Sequence, residues 1–122
     1  MIKLLHVEDD ADIREIALMA LGLSGGFEVV QCGSGEEALI KVQHMTPDVF
    51  LLDLMMPGMS GTQALEAFRE MDHLVHVPAI FMTARTRQSE QDALRAAGAL
   101  AVISKPFDPL VLGDTIKATL QL

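Results

Sequence analysis

The sequence predicts an α/β domain: a five-stranded parallel sheet in the order 2-1-3-4-5, doubly wound with helices on both faces. Three observations carry that expectation. Five short apolar runs alternate with five amphipathic segments over 122 residues. The runs are continuously apolar, as strands covered on both faces must be. The connections are short, with no linker, repeat or low-complexity stretch, so strand and helix belong to one unit. Right-handed crossovers covering both faces then place the reversal of winding between strands one and three, where sheets of this kind bind ligands at their carboxyl edge.

The first strand is residues 2–7, ending abruptly in Glu8-Asp9-Asp10. Asp10 or Asp12 can cap a helix in which Ile13, Ile16, Ala17, Ala20 and Leu21 recur at helical spacing, with Leu18, Met19 and Leu23 widening its apolar face. Gly22 and Gly25-Gly26 are expected to stop it. Residues 27–30 form strand two, and Gly33-Ser34-Gly35 leads into a helix carrying Ala38, Leu39, Val42 and Met45, closed before Pro47. The glycine pair lacks a full phosphate-cradling fingerprint and reads as a turn.

Residues 49–52 are the apolar run on which the chain pivots, because Asp53 stands at its end and Pro57-Gly58-Met59-Ser60-Gly61 opens a loop beyond it. A helix with Ala64, Leu65, Phe68 and Met71 follows and ends at Asp72-His73. Strand four, residues 77–82, ends at Thr83-Ala84-Arg85. Residues 89–97 read as a helix stopped by Gly98, and residues 100–103 as strand five. Ser104-Lys105-Pro106-Phe107 then leads to Asp108, with Pro109 at the first position of a last helix carrying Leu112, Ile116 and Leu120.

Half of the residues are hydrophobic, enough for one domain that buries about two-thirds of its unfolded surface. A net charge of -8 with nine Lys and Arg disfavours a nucleic-acid surface. The apolar start is too short for a signal segment or a membrane span, so a cytoplasmic protein with no membrane partner is expected. Cys32 alone cannot make an internal disulfide and reads as a buried structural thiol. His6, His44, His73 and His76 lack the companions of a tetrahedral zinc set and are expected at the surface or in loops. Met19, Met45, Met71 and Met82 fall at core periodicity.

The predicted topology brings Glu8 and Asp9, Asp53, Thr83 and Lys105 to one edge of the sheet. Three carboxylates meeting there repel by about 4 kcal/mol per close pair at an effective dielectric near 20. A divalent cation relieves that repulsion, and an all-oxygen set suits Mg²⁺ with phosphate oxygens as further ligands. A nucleophilic Asp53, a metal, a hydroxyl and an ammonium are the parts of a phosphoryl-transfer site. Unrelated polar groups that merely terminate their strands are the competing reading.

The whole chain resembles the receiver domain of two-component response regulators, which has a flavodoxin-like fold. Val7-Glu8-Asp9-Asp10 is similar to the family's acidic cluster, residues 53–61 to its phosphoacceptor stretch, Thr83-Ala84 to its switch hydroxyl and small neighbour, and Lys105-Pro106-Phe107 to its lysine motif. The resemblance implies that Asp53 takes a phosphoryl group from the phosphohistidine of a histidine kinase or a histidine phosphotransfer protein. It implies Mg²⁺ bound by Asp9, Asp53 and the backbone carbonyl of Met55, with Glu8 acting through a metal-bound water. Lys105, the Thr83 hydroxyl and the Ala84 N–H would hold phosphoryl oxygens, and the Lys105-Pro106 peptide would be cis.

By the same resemblance, the face of helix four, strand five and helix five would bind an output domain, a target protein or a second copy. Leu18 and Leu23 would either rim a phosphodonor-docking surface or pack inside. Met55 and Arg85 would flank the water route to the phosphoryl group. One departure stands out: the usually aromatic switch position, three before the lysine, is Val102. Two other readings remain: a receiver-like scaffold that is never phosphorylated, and a Mg²⁺-dependent phosphohydrolase, which would need a second acid and a substrate-capping insertion absent from this sequence.

Overall fold

Strands Ile2–Val7 (β1), Phe27–Cys32 (β2), Val49–Asp53 (β3), Ala79–Thr83 (β4) and Ala101–Ser104 (β5) alternate with helices. The helices are Ala11–Ser24 (α1), Gly35–Lys41 (α2), Gly61–Arg69 (α3), Gln88–Ala96 (α4) and Leu112–Thr119 (α5). This computed structural model describes residues 1–84 and 87–121. All strands are parallel and lie in the order β2-β1-β3-β4-β5, as the alternation of elements predicts.

The sheet divides the core in two, because alternate side chains of a strand point to opposite faces. Leu5, Val7, Phe50, Leu52 and Phe81 pack with Ala38, Ala64, Leu65, Phe68 and Leu94 of α2, α3 and α4, and the Phe50 and Phe68 rings stack with centroids 4.5 Å apart. Leu4, Val49, Leu51, Ile80 and Met82 pack with Ala17 and Leu21 of α1 and Leu112 and Ile116 of α5. The two central strands β3 and β4 are buried at every position, which is why their sequences carry no polar alternation.

Helix starts are set by side-chain oxygens. The Asp10 carboxylate accepts from the N–H groups of Asp12 and Ile13, so Asp10 caps α1 and Asp12 lies within its first turn. Ser34 caps α2, and Ser60 with Gln63 forms a reciprocal capping box on α3. Gly25, at φ 76°, ends α1 by donating to the Leu21 carbonyl, whereas Gly22 lies inside the helix.

Several expectations shift. Strand β2 runs two residues further, to Cys32, and β5 runs from Ala101 to Ser104. Helix α2 ends at Lys41 and α3 at Arg69, leaving Met45 and Met71 beyond them, partly buried against the core. Asp72–Leu74 is a short 3₁₀ turn. Pro109 does not open α5: the Asp108 carboxylate accepts from Leu110 N–H and its carbonyl from Val111 and Leu112, so turns occupy this stretch and the helix begins at Leu112. Met19 is 64% exposed, and Leu18 and Leu23 are exposed with it, so only part of the apolar face of α1 is core. His6 is fully buried, because it occupies an inner position of a strand covered on both faces. Arg85 lies outside the described residues.

Gly61 fixes the loop beyond β3. A Cβ built there would fall inside the contact distance of the Asp53 carbonyl oxygen and against the Phe81 ring. Gly61→Ala therefore has to push β3 or α3 apart and should cost about 2 kcal/mol of stability, measured by urea unfolding followed by circular dichroism. An unchanged midpoint would contradict this packing.

Candidate functional site

Parallel pairing of Val7 with Leu52 sets Glu8 and Asp53, the next residues of each chain segment, at adjacent ends of β1 and β3. Glu8 is 1% exposed and Asp53 4%, whereas Asp9, one residue into the loop, faces solvent. Thr83, at the end of β4, is 3% exposed. Lys105 follows β5. Its backbone N–H donates to the Thr83 carbonyl at 2.9 Å, and the Lys105-Pro106 peptide is cis, as the family resemblance implies. The Lys105 ammonium donates to Glu8 Oε1 at 2.7 Å and to Asp53 Oδ1 at 3.0 Å.

Glu8, Asp9, Asp53, Met55, Thr83, Ala84 and Lys105 thus line one cavity of about 310 Å³, with Asp10 and Ile13 at its side. Every residue selected from the sequence for this site is there except Val102. That residue lies on β5 opposite Phe81 and packs against the core beneath α4. Met55 is 62% exposed at the rim. Cys32 is buried and free, and burial raises its thiol to about 11.

Charge is the dominant feature of the cavity. Burial raises the Glu8 carboxyl to about 7; the neighbouring Asp53 pushes the same way, and the Lys105 bond opposes both. Burial alone would lower the Lys105 ammonium, but its bonds to Glu8 and Asp53 prevail and hold it above its ordinary value. Ligand oxygens of Glu8, Asp9 and Asp53 all lie within 4.8 Å of one another. Were all three carboxylates to ionise, one ammonium would leave two negative charges in surplus, and the donors are all hard oxygens. This set fits a small divalent cation.

His6 adjoins this centre from beneath. Gln31 Nε2 lies 3.1 Å from His6 Nδ1 and donates to it, which places the imidazole proton on Nε2. Burial first, then the Lys105 and Arg14 charges, lower His6 to about 4, so it is neutral at physiological pH. No spacing in the sequence marks this partnership, since Gln31 is adjacent only through the β1–β2 pairing.

Acidic side chains at the ends of β1 and β3, a hydroxyl at the end of β4 and a lysine just after β5 converge on one cavity, and the fold and site together are those of a receiver-class α/β domain. The chain belongs to the response regulator receiver domain family, whose sequence profile matches residues 4–117. It is 33% identical over 119 residues to the phosphate regulon transcriptional regulatory protein PhoB of Escherichia coli, covering 98% of this chain and 52% of PhoB. It is 34% identical over 119 residues to the DNA-binding response regulator MtrA of Mycobacterium tuberculosis, covering 98% and 50%. The chain therefore spans about half the length of these curated relatives. A chemotaxis response regulator of Vibrio cholerae has the same fold, with a TM-score of 0.90, 32% identity and 98% of both chains covered. Among the described residues no helix is long and apolar enough to cross a membrane.

The raised Glu8 carboxyl gives a pH signature. Between pH 4.5 and about 7 the folded state holds a proton on Glu8 that the unfolded state has released, so this group makes stability fall as pH rises through that window. His6 acts oppositely, costing stability as pH falls from 6.5 towards about 4. Glu8→Gln removes only the first effect. In metal-free buffer its stability relative to the wild type should climb by roughly 1 kcal/mol per pH unit across the Glu8 window, read from urea unfolding at a series of pH values. A pH-independent difference would contradict the burial argument.

Proposed function

We propose that these 122 residues act as one receiver unit in which Asp53 is the phosphoacceptor. The observation that carries the reading is the Lys105 ammonium, within 2.7 Å of Glu8 and 3.0 Å of Asp53 in a cavity also lined by Thr83 and Ala84. An Asp53 carboxylate oxygen attacks the phosphorus of a donor phosphohistidine; the P–O bond forms, the P–N bond breaks, and the imidazole leaves with the bond's electron pair. Mg²⁺, held by Asp9, Asp53 and the Met55 carbonyl with Glu8 through a water, would neutralise the phosphoryl oxygens.

Lys105 is placed to exchange its carboxylate partner on Asp53 for a phosphoryl oxygen. The Thr83 hydroxyl and the Ala84 N–H take the others. The donor is a histidine kinase or a histidine phosphotransfer protein, and the domain promotes its own modification without being a conventional enzyme. The phosphorylated state shifts the face of α4, β5 and α5, where an output domain, a target or a second copy binds. With Val102 in place of a ring, the Thr83 shift is read through β5 and the packing under α4. The DNA binding named for MtrA belongs to that protein; the net charge of -8 disfavours direct nucleic-acid contact by this domain. Its place of action is the cytoplasm.

Treatment with a small acyl phosphate in Mg²⁺ should add one phosphoryl mass to the wild type and none to Asp53→Asn, read by intact-protein mass spectrometry. An unmodified wild type would favour a non-phosphorylated scaffold, and sustained turnover of a phosphomonoester would favour a phosphohydrolase. Lys105→Ala strips the cation from two buried carboxylates and should cost about 3 kcal/mol in metal-free buffer. Thermal denaturation should show much of that loss restored by Mg²⁺. A Lys105→Ala protein as stable as the wild type without metal would contradict the charge account.

A further inference from the structure

We infer that Arg14 is a positioning residue for the metal-binding turn: its guanidinium holds the two backbone carbonyls that carry Glu8 and Asp9. Arg14 Nη1 donates to the Glu8 carbonyl at 2.7 Å and to the Asp9 carbonyl at 3.2 Å. The guanidinium lies beside Gly33, where an added Cβ would come within 3.4 Å of Nη1. The backbone of Arg14 is fixed in turn, because its carbonyl accepts from Gln31 Nε2 at 2.8 Å. Gln31 is held on β2 opposite His6 of β1. The turn between β1 and α1 is thus braced by the Asp10 cap at the helix start and by Arg14 reaching back from within α1.

The choice of partners is informative. An arginine near three carboxylates ordinarily forms a bidentate ion pair with one of them. Among the described residues Arg14 makes no such pair, and the only ion pairs at the site are those of Lys105. Its Nη1 goes to carbonyl oxygens, so Arg14 does not itself occupy the Glu8 and Asp9 carboxylates. Arg14 also sits in the opening turns of α1, where the helix dipole disfavours a cation, so helix formation does not explain it. A cation behind the turn steadies the acidic loop without competing for the metal.

This inference rests on the proposed metal site, and titration calorimetry with Mg²⁺ alone separates the two. Both bonds come from Nη1, and lysine keeps the charge on a stem one bond shorter that stops short of the Nη1 position, whereas glutamine loses the charge as well. Removing a positive charge acts through space to tighten cation binding; loosening the turn acts to weaken it. Arg14→Lys and Arg14→Gln should each bind Mg²⁺ about tenfold more weakly than the wild type, as loss of an outer-shell partner typically does. Labelling of Asp53 by an acyl phosphate should then need correspondingly more Mg²⁺ while reaching the wild-type maximal rate. If Arg14→Gln binds Mg²⁺ as tightly as the wild type or more so, or if Arg14→Lys is unchanged, the positioning role is wrong. Should Arg14→Gln fail to fold, Arg14→Lys decides the matter. A wild type that binds no Mg²⁺ overturns the metal reading, and the inference with it.

Discussion

One ammonium shared by two buried carboxylates is the interaction on which the rest of the site depends. Glu8 and Asp53 end neighbouring strands, and the parallel register leaves no way to separate them while Val7 stays beside Leu52. Both are almost wholly withdrawn from water, a placement that is costly for a charge without a partner. Lys105 supplies that partner from the far edge of the sheet, reaching back across β4. The centre is still under-neutralised, since Asp9 adds a third carboxylate and the described residues provide no second cation in contact with these side chains. An acidic centre left in this condition is suited to a divalent ion and to a phosphoryl group, whose oxygens can take over the lysine.

The same lysine ties the chemistry to the fold. Its amide donates to the Thr83 carbonyl, and Thr83 is paired with Ser104, so a displacement at the cavity bears on both β4 and β5. Val102, one turn of the pleat earlier on the same strand, pairs with Phe81 and packs against the cluster that includes Leu94 of α4. On the proposed reading, movement at Thr83 is therefore felt where α4 lies on the sheet. The opposite face, under α1 and α5, is a separate core with its own polar inclusion at His6.

Much of this was legible in the sequence, for a physical reason: a parallel sheet covered on both sides needs uninterrupted apolar strands, and its acids can then stand only at the ends. Residues 49–53 announce themselves in this way, and so do Glu8 and Thr83. What was not legible depends on three-dimensional neighbours. His6 looks polar in a strand; Gln31 satisfies its Nδ1, while its buried Nε2 has no hydrogen-bond partner among the described residues. Met19 follows core spacing and Leu18 and Leu23 fit either a rim or the core, yet all three are exposed because α1 has a wider apolar face than the sheet and α5 can cover. Asp108 and Pro109 suit a helix start as well as the turn they form here, so residue types alone do not locate the start of α5. Arg14 carried no spacing signal at all. Its only mark was a cation early in a helix, locally unfavourable and explained by two carbonyls across the turn.

Burial and the neighbouring Asp53 keep Glu8 partly protonated until a cation arrives. The most direct measurement is the number of protons released when Mg²⁺ binds, obtained by calorimetry at pH 7 in buffers of different ionisation enthalpy. With Glu8 raised to about 7, release of about half a proton is expected, fading as the pH is raised well above that value. Binding whose heat is the same in every buffer would mean that Glu8 is already fully ionised without metal and would contradict the role given to its burial.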